Sequence, residues 1–137
     1  MKIDIETQWM GKMAFEALVT GHPVVMDADK ESGGDDSGPR PKALLLAGLA
    51  GCTGMDVIAI LDKMRVTPDA FHLKIEAEQT EEHPKVYSLI TIVYQFKGQN
   101  LPMDKLEKAV ALSQEKYCGV SAMLGKAAKL IHRIELI

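Results

Sequence analysis

The chain has 137 residues, of which 47% are hydrophobic and 26% are charged, values typical of one globular domain. Its net charge is −3 with Lys and Arg scattered along the chain, which argues against a nucleic-acid-binding protein. The first residues include Lys2, Asp4 and Glu6, so we expect no signal peptide. The longest apolar run, Ala43 to Met55, is shorter than the roughly 18 residues of a membrane span. We therefore expect a single cytoplasmic domain over residues 1–137 that binds neither nucleic acid nor membrane.

Three short strands are predicted at the N-terminus. Residues 3–9, IDIETQW, alternate apolar and polar side chains, which is the pattern of a half-buried strand. Residues 12–19 and 22–27 predict two more strands, and Thr20-Gly21 between them has the composition of a turn. The first part of the chain is therefore expected to form a three-stranded meander.

A polar loop and a long apolar helix come next. Residues 28–41 are rich in Gly, Asp and Ser, which predicts a flexible loop that acts as a connector or a mobile lid. A helix is expected from Pro41, which suits a first turn, to about Arg65, because Pro68 prevents much continuation. A helix that is apolar on every side must also be buried on every side, which is difficult for a monomer of this size.

The glycines of this helix indicate a close contact. Each interior Gly costs a helix about 1 kcal/mol relative to Ala, so several of them need a compensating role. Ala47, Gly51 and Gly54 fall on one face, which we expect to meet another helix or strand. That partner could belong to the same chain or to a second subunit, and the sequence leaves both open.

The second half of the chain predicts a hairpin, two helices and a last strand. Residues 70–79 and 86–98 read as two strands, the second with apolar side chains on both faces. A helix begins at Pro102 and breaks near Cys118-Gly119, and a short helix with Ser121 as its N-cap follows. Residues 130–137 alternate again, so the order βββ-α-ββ-αα-β predicts an α+β fold.

The two cysteines, Cys52 and Cys118, form no CxxC motif, and the four histidines are isolated from one another. We therefore expect no metal site. Composition alone favours two inert, buried thiols. Asp56 lies one helical turn after Cys52 and on the same side of the helix. Its expected role is a structural hydrogen bond or ion pair, since a carboxylate by itself raises the pKa of a neighbouring thiol.

Two motifs together resemble the OsmC/Ohr superfamily. These are LLLAGLAGCTGMDV around Cys52 and LSQEKYCGVSAML around Cys118, and the order of elements matches over nearly the whole chain. Within the superfamily, the first motif looks closest to the YhfA-like branch. The resemblance implies an OsmC-like fold, in which two chains form an intertwined homodimer with long central helices packed against antiparallel sheets.

The resemblance also implies a function. Cys52 would be the peroxidatic thiol that attacks an organic hydroperoxide, and Cys118 the resolving thiol that forms a disulfide with the resulting sulfenic acid. A dithiol, typically on a lipoyl-bearing protein, would reduce the disulfide, and no cofactor would be needed. The expected role is defence against oxidative stress.

One departure from the family pattern concerns activation of the thiol. Family members carry a Glu ten residues before the first cysteine, and this Glu holds an Arg against the thiolate; here that position is Lys42, and no Arg precedes Arg40. Lys12, Lys42 and Arg40 are candidate substitutes, and the cation is left unassigned. The alternatives to a peroxidase are a redox sensor or small-molecule-binding protein without efficient turnover, and a structural dimer with inert thiols.

Overall fold

The computed structural model describes every residue from Met1 to Ile137 and divides into two compact units, residues 1–46 and 47–137. The α+β class and the predicted order of elements are confirmed. The elements are β1 Glu6–Trp9, β2 Phe15–Val19, β3 His22–Met26, a 3₁₀ turn Lys30–Ser32, α1 Ala43–Lys63, β4 Ala70–Gln79, β5 Tyr87–Lys97, α2 Met103–Leu112, a π-helical segment Ser113–Tyr117, α3 Gly119–Leu124 and β6 Lys129–Leu136.

The first unit contains the predicted meander. The strands run in the order β1-β2-β3, and both pairs are antiparallel. Thr20 and Gly21 both have positive φ, at 47° and 83°, which is the backbone that a two-residue hairpin turn of type I′ requires. The first strand is shorter than predicted, because Ile3 and Ile5 lie before it with 73% and 50% of their surfaces exposed.

The loop after β3 is organised around one buried carboxylate. Asp27 is 3% exposed and accepts hydrogen bonds from the Ser37 hydroxyl at 2.7 Å and from the backbone N–H groups of Ala28, Asp35 and Ser37. The Ser37 hydroxyl and these N–H groups lower the pKa of Asp27 from 3.8 to about 2. The stretch predicted to be flexible therefore has an internal frame, because its Asp and Ser residues satisfy its own backbone.

The second unit is built on the central strand β5. The sheet order is β4-β5-β6, and β5 buries a nearly continuous apolar run from Ile90 to Phe96. The predicted hairpin is confirmed, since β4 and β5 are antiparallel with Ala70 opposite Lys97. The last strand corrects the expectation of antiparallel sheets: β6 is parallel to β5, because the connection through α2 and α3 returns the chain to the end where β5 begins.

Helix α1 buries one stripe and leaves other apolar residues exposed. Its buried residues recur every four positions, at Leu49, Thr53, Val57 and Leu61. Among the others, Met55 is 76% exposed. The expectation that the helix is buried on every side does not hold within this chain, which contributes cover for one side only.

By length and composition, α1 also resembles a membrane-crossing helix. The uninterrupted apolar run, Ala43 to Met55, is shorter than a span, but the whole helix is long and apolar enough to cross a membrane. The helix Ala43–Lys63 is longer than that run because Asp56 and the residues after it continue the same helix. Core helices of soluble proteins pass the same test, so this finding does not assign a membrane location.

The predicted small-residue face makes a close contact at one position, Gly54. A Cβ added to Gly54 would lie 2.7 Å from Cδ1 of Leu73, so glycine at this position allows α1 to approach β4 closely. A Cβ added to Gly51 would meet no atom within 4 Å. The expected contact is therefore made within the chain at Gly54, and Gly51 faces open space.

The chain between α2 and α3 breaks at Cys118, as predicted. The N-cap of α3 is Cys118 and not Ser121, because the Ser121 N–H donates to the Cys118 sulfur at 3.3 Å. Ser121 is the third residue of that helix, and its buried hydroxyl has no hydrogen-bond partner.

We predict that Asp27→Asn destabilises the protein and removes a pH dependence in the acid range. The folded protein binds a proton at Asp27 only near pH 2, whereas the unfolded chain does so near 3.8. The stabilisation is thus complete above that range and is lost as the pH falls through it. Thermal unfolding from pH 2 to 7 measures this effect, with the exposed Asp62→Asn as control. An unchanged pH profile in Asp27→Asn contradicts the assignment.

Candidate thiol site

The two cysteines meet although they are distant in the chain. Cys52 lies on α1 and is partly exposed, whereas Cys118 lies at the start of α3 and is 3% exposed. Their sulfur atoms and a carboxylate oxygen of Asp56 all lie within 4.8 Å of one another. The structure therefore brings both predicted site residues together and adds the neighbouring Asp56 to the same site.

A cluster of buried polar side chains lies beside the sulfurs. Thr53 Oγ1 is 2.6 Å from the Tyr94 hydroxyl and 2.9 Å from the Ser113 hydroxyl, and Ser113 donates to Asp56 at 3.0 Å. The side-chain amide of Gln114 donates to both Thr53 and Tyr94, at 3.1 and 2.7 Å. We call these five residues the hydroxyl cluster; it joins α1, β5 and the π-helical segment.

The proton positions in the hydroxyl cluster follow from counting donors. Ser113 donates its single proton to the Asp56 carboxylate, so it must accept from Thr53. Thr53 has then spent its own proton and must accept from Tyr94. The hydrogen bonds thus run in one direction, from Tyr94 to Asp56, and each one polarises the next.

Burial raises the pKa of the Cys52 thiol. Removal of the sulfur from water is the largest cause, and a hydrogen bond with Cys118 and the negative charges of Cys118 and Asp56 raise it further. The backbone N–H of Val120 acts in the opposite direction. The side-chain charges that act on this thiol are therefore anionic, and the main group that favours the thiolate is a backbone N–H.

Two of the three candidate cations are paired elsewhere. Within the first unit, Lys12 Nζ lies 2.8 Å from Asp35, and Arg40 lies 2.6 Å from Asp36. Both partners raise the pKa of the cation that they pair with. The activating cation of the thiol therefore stays unassigned.

The hydroxyl cluster was missed by the sequence analysis. Thr53, Tyr94, Ser113 and Gln114 carry no motif in the sequence that singles them out. The available signal was the polar Thr53 at the centre of a very apolar helix, since a buried hydroxyl needs a partner. The identity of that partner depends on contacts between distant parts of the chain.

Comparison with known proteins decides the family. The family model described as "OsmC-like protein" matches residues 34–133. The chain belongs to the OsmC-like family. This confirms the resemblance seen in the two cysteine motifs.

One curated relative and two solved structures are similar to this OsmC-like protein. It is 35% identical to protein YhfA of Escherichia coli K12 over 131 residues, which cover 95% of each chain. A solved structure from Aquifex aeolicus VF5 is 28% identical, covers 100% of this chain and 99% of its own, and superposes with a TM-score of 0.83. The organic hydroperoxide resistance protein OhrB of Bacillus subtilis is 16% identical with a TM-score of 0.65, covers 100% and 98% of the two chains, and shares the fold.

We predict that Tyr94→Phe destabilises this OsmC-like protein by about 1–3 kcal/mol, because Thr53 and Gln114 each lose a buried partner. Tyr117→Phe is the matched control, since that ring is 53% exposed. Urea unfolding of the two variants measures the difference. Equal midpoints for Tyr94→Phe and Tyr117→Phe would show that the hydroxyl cluster contributes nothing to stability.

Proposed function

We propose that the protein is a thiol-dependent peroxidase that reduces organic hydroperoxides and serves in defence against oxidative stress. The observation that carries the proposal is the approach of the Cys52 and Cys118 sulfurs to within 4.8 Å, with Cys52 open to solvent in part. Two findings support the proposal. The chain belongs to the OsmC-like family, and its fold is shared by the organic hydroperoxide resistance protein OhrB of Bacillus subtilis.

The first step would take place at Cys52. Its thiolate attacks the terminal oxygen of the hydroperoxide, an S–O bond forms, and the O–O bond breaks. The alkoxide leaves and takes up the proton that the Cys52 thiol released, which gives an alcohol; the peroxide is thus reduced by two electrons and Cys52 becomes a sulfenic acid. Because Cys52 is the more exposed of the two thiols, it is the one that a substrate reaches first.

The second step would join the two sulfurs. Cys118 attacks the sulfenic sulfur of Cys52, and hydroxide leaves and takes up the thiol proton as water. A disulfide bond is about 2.05 Å long, so the sulfurs must approach by less than about 3 Å from their present separation. An external dithiol then restores both thiols by two exchange reactions, which makes a lipoyl-bearing protein or a small dithiol the proposed reductant.

The surroundings of the site favour an organic substrate. A cavity of about 290 Å³ has Asp56 in common with the thiol site, and neither cysteine lines it. The rest of its lining is Lys63 and an apolar wall of Ala59, Ile60, Leu112 and Tyr117. Such a wall binds the carbon skeleton of an alkyl or aryl hydroperoxide by removing it from water. Hydrogen peroxide has no comparable group to place there.

A redox sensor is the second candidate, and the raised pKa of Cys52 favours it. A thiol with a raised pKa and no neighbouring cation forms little thiolate at neutral pH and reacts slowly. A redox sensor needs only one oxidation to a disulfide per chain, and it does not need efficient turnover. The two candidates differ in turnover number and not in the sulfur chemistry.

We further propose that the functional form is a homodimer. Leu45, Met55 and Ile58 of α1 are 49%, 76% and 44% exposed, and Gly51 on the same helix faces open space. An apolar helix surface of this kind is stabilised when a second chain covers it. The proposal follows the family resemblance, in which the central helices pack at the interface.

We predict that the reduced protein consumes cumene hydroperoxide over many turnovers with a dithiol donor, and that Cys52→Ser abolishes this activity. Cys118→Ser should undergo one oxidation to a sulfenic acid that dimedone traps. Because the pKa of Cys52 is raised, the rate should still increase with pH beyond the ordinary thiol pKa of 9.0.

Ser88→Ala, which removes an exposed hydroxyl on β5, is the control and should keep full activity. Retained turnover in Cys52→Ser rules out this nucleophile. One equivalent of oxidation in the wild type, with no turnover, supports the sensor and rejects the peroxidase.

We predict that Met55→Asp converts a dimer into a monomer, because a charge at this position would be buried without a partner. Sedimentation at two protein concentrations measures the mass. Met103→Asp, at another exposed methionine, is the control and should remain dimeric. A wild-type chain that sediments as a monomer at all concentrations contradicts the dimer.

A further inference from the structure

We propose that Cys52, Asp56 and Cys118 form a binding site for one thiophilic divalent cation of the zinc type. The proposal uses the same sulfurs as the peroxidase reaction but does not depend on that activity. It differs from the expectation of no metal site, which rested on spacing along the chain. Spacing along the chain carries no information on a site whose ligands come from two distant segments.

The geometry is close to that of a zinc site. The two sulfurs and one carboxylate oxygen lie within 4.8 Å of one another. With Zn–S bonds of about 2.3 Å and Zn–O bonds of about 2.0–2.2 Å, tetrahedral ligand atoms lie roughly 3.5–3.8 Å apart. The three donors therefore need to close by about 1 Å around the ion, a change within the reach of side-chain rotation.

The donor set selects the type of cation. Two thiolates are soft ligands that favour zinc and other thiophilic metals over calcium or magnesium, which take oxygen ligands. Three protein ligands leave the fourth tetrahedral position open. Zinc sites with an open position bind water or a small ligand there.

The groups around the three donors support this arrangement. Ser113 donates to one oxygen of Asp56 at 3.0 Å, which orients the carboxylate and leaves its other oxygen for an ion. The Ser121 N–H donates to the Cys118 sulfur at 3.3 Å, which orients that sulfur. Both contacts come from hydrogen-bond donors, as is usual for the groups that hold metal ligands in place.

The charge of the site also favours a cation. When ionised, the three ligands carry three negative charges, and Lys63, which lines the cavity beside Asp56, forms no ion pair with it. Binding of a thiophilic cation displaces the thiol protons. One divalent cation then offsets most of the ligand charge and stabilises both thiolates at once.

The test is zinc binding to the reduced full-length protein under anaerobic conditions. We expect one zinc per chain by elemental analysis and, with cobalt in its place, a thiolate-to-metal charge-transfer absorption. Cys52→Ser, Cys118→Ser and Asp56→Asn should each weaken zinc binding by at least about tenfold, since each removes one ligand. Asp62→Asn, an exposed acid on the same helix, is the control and should bind as the wild type does.

A second readout on Asp56→Asn separates loss of a ligand from loss of the fold. The variant removes a negative charge that raises the pKa of Cys52, so iodoacetamide should label its zinc-free form faster than the wild type. A cooperative thermal transition like that of the wild type shows that the variant is folded. Weaker zinc binding, faster labelling and a retained transition together support the site.

Several outcomes overturn the proposal. Unchanged zinc affinity in Asp56→Asn would show that the carboxylate is not a ligand. A stoichiometry of half a zinc ion per chain would show that the ion is shared between two copies. Hydroperoxide turnover without any zinc binding rejects the metal site and leaves the peroxidase intact. Zinc binding without turnover supports the site and rejects the peroxidase, so the two proposals fail separately.

Discussion

The arrangement of the thiol site depends on the buried hydroxyl of Thr53. This group is fully buried on a largely apolar helix, and an unpaired hydroxyl there would destabilise the fold. It is satisfied by Tyr94 of β5 and by Ser113 and Gln114 of the π-helical segment, which all lie within hydrogen-bond distance. Cys52 directly precedes Thr53, and Cys118 follows the segment that begins with Ser113. One polar contact between distant segments therefore sets the positions of both sulfurs.

The electrostatics of the site favour the neutral thiol. The sulfurs lie beside Asp56, and removal of Cys52 from water is the largest cause of its raised pKa. The Arg–Glu pair that the family resemblance implies is absent, since Lys42 stands at the position of the Glu. A thiolate in this site therefore needs a positive charge from elsewhere. A second chain or a metal ion could supply that charge, and the two lead to different chemistry at the same atoms.

Helix α1 has apolar residues on a buried face and on an exposed face. Its buried stripe joins Leu49, Val57 and Leu61 to the core, and Gly54 lets it approach Leu73 of β4. Met55 and Ile58 stay 76% and 44% exposed, so the rest of this chain covers the helix only in part. The proposed second copy would cover these residues further.

In the first unit, the Asp27 carboxylate organises the loop that follows β3, because it accepts hydrogen bonds from the backbone of that loop.

The sequence by itself determined the type and order of the elements, because hydrophobic periodicity, Pro, Gly and turn residues act over a few positions. It also placed the hairpin turn at Thr20-Gly21 and the helix break at Cys118. Its two cysteine motifs were specific enough to indicate the family. Only the tertiary structure decided that β6 runs parallel to β5 and that Cys118 caps α3. It likewise decided that Asp56 shares the site with both sulfurs. These features rest on contacts between residues far apart in the chain, and short-range patterns carry no information about which distant groups satisfy one another.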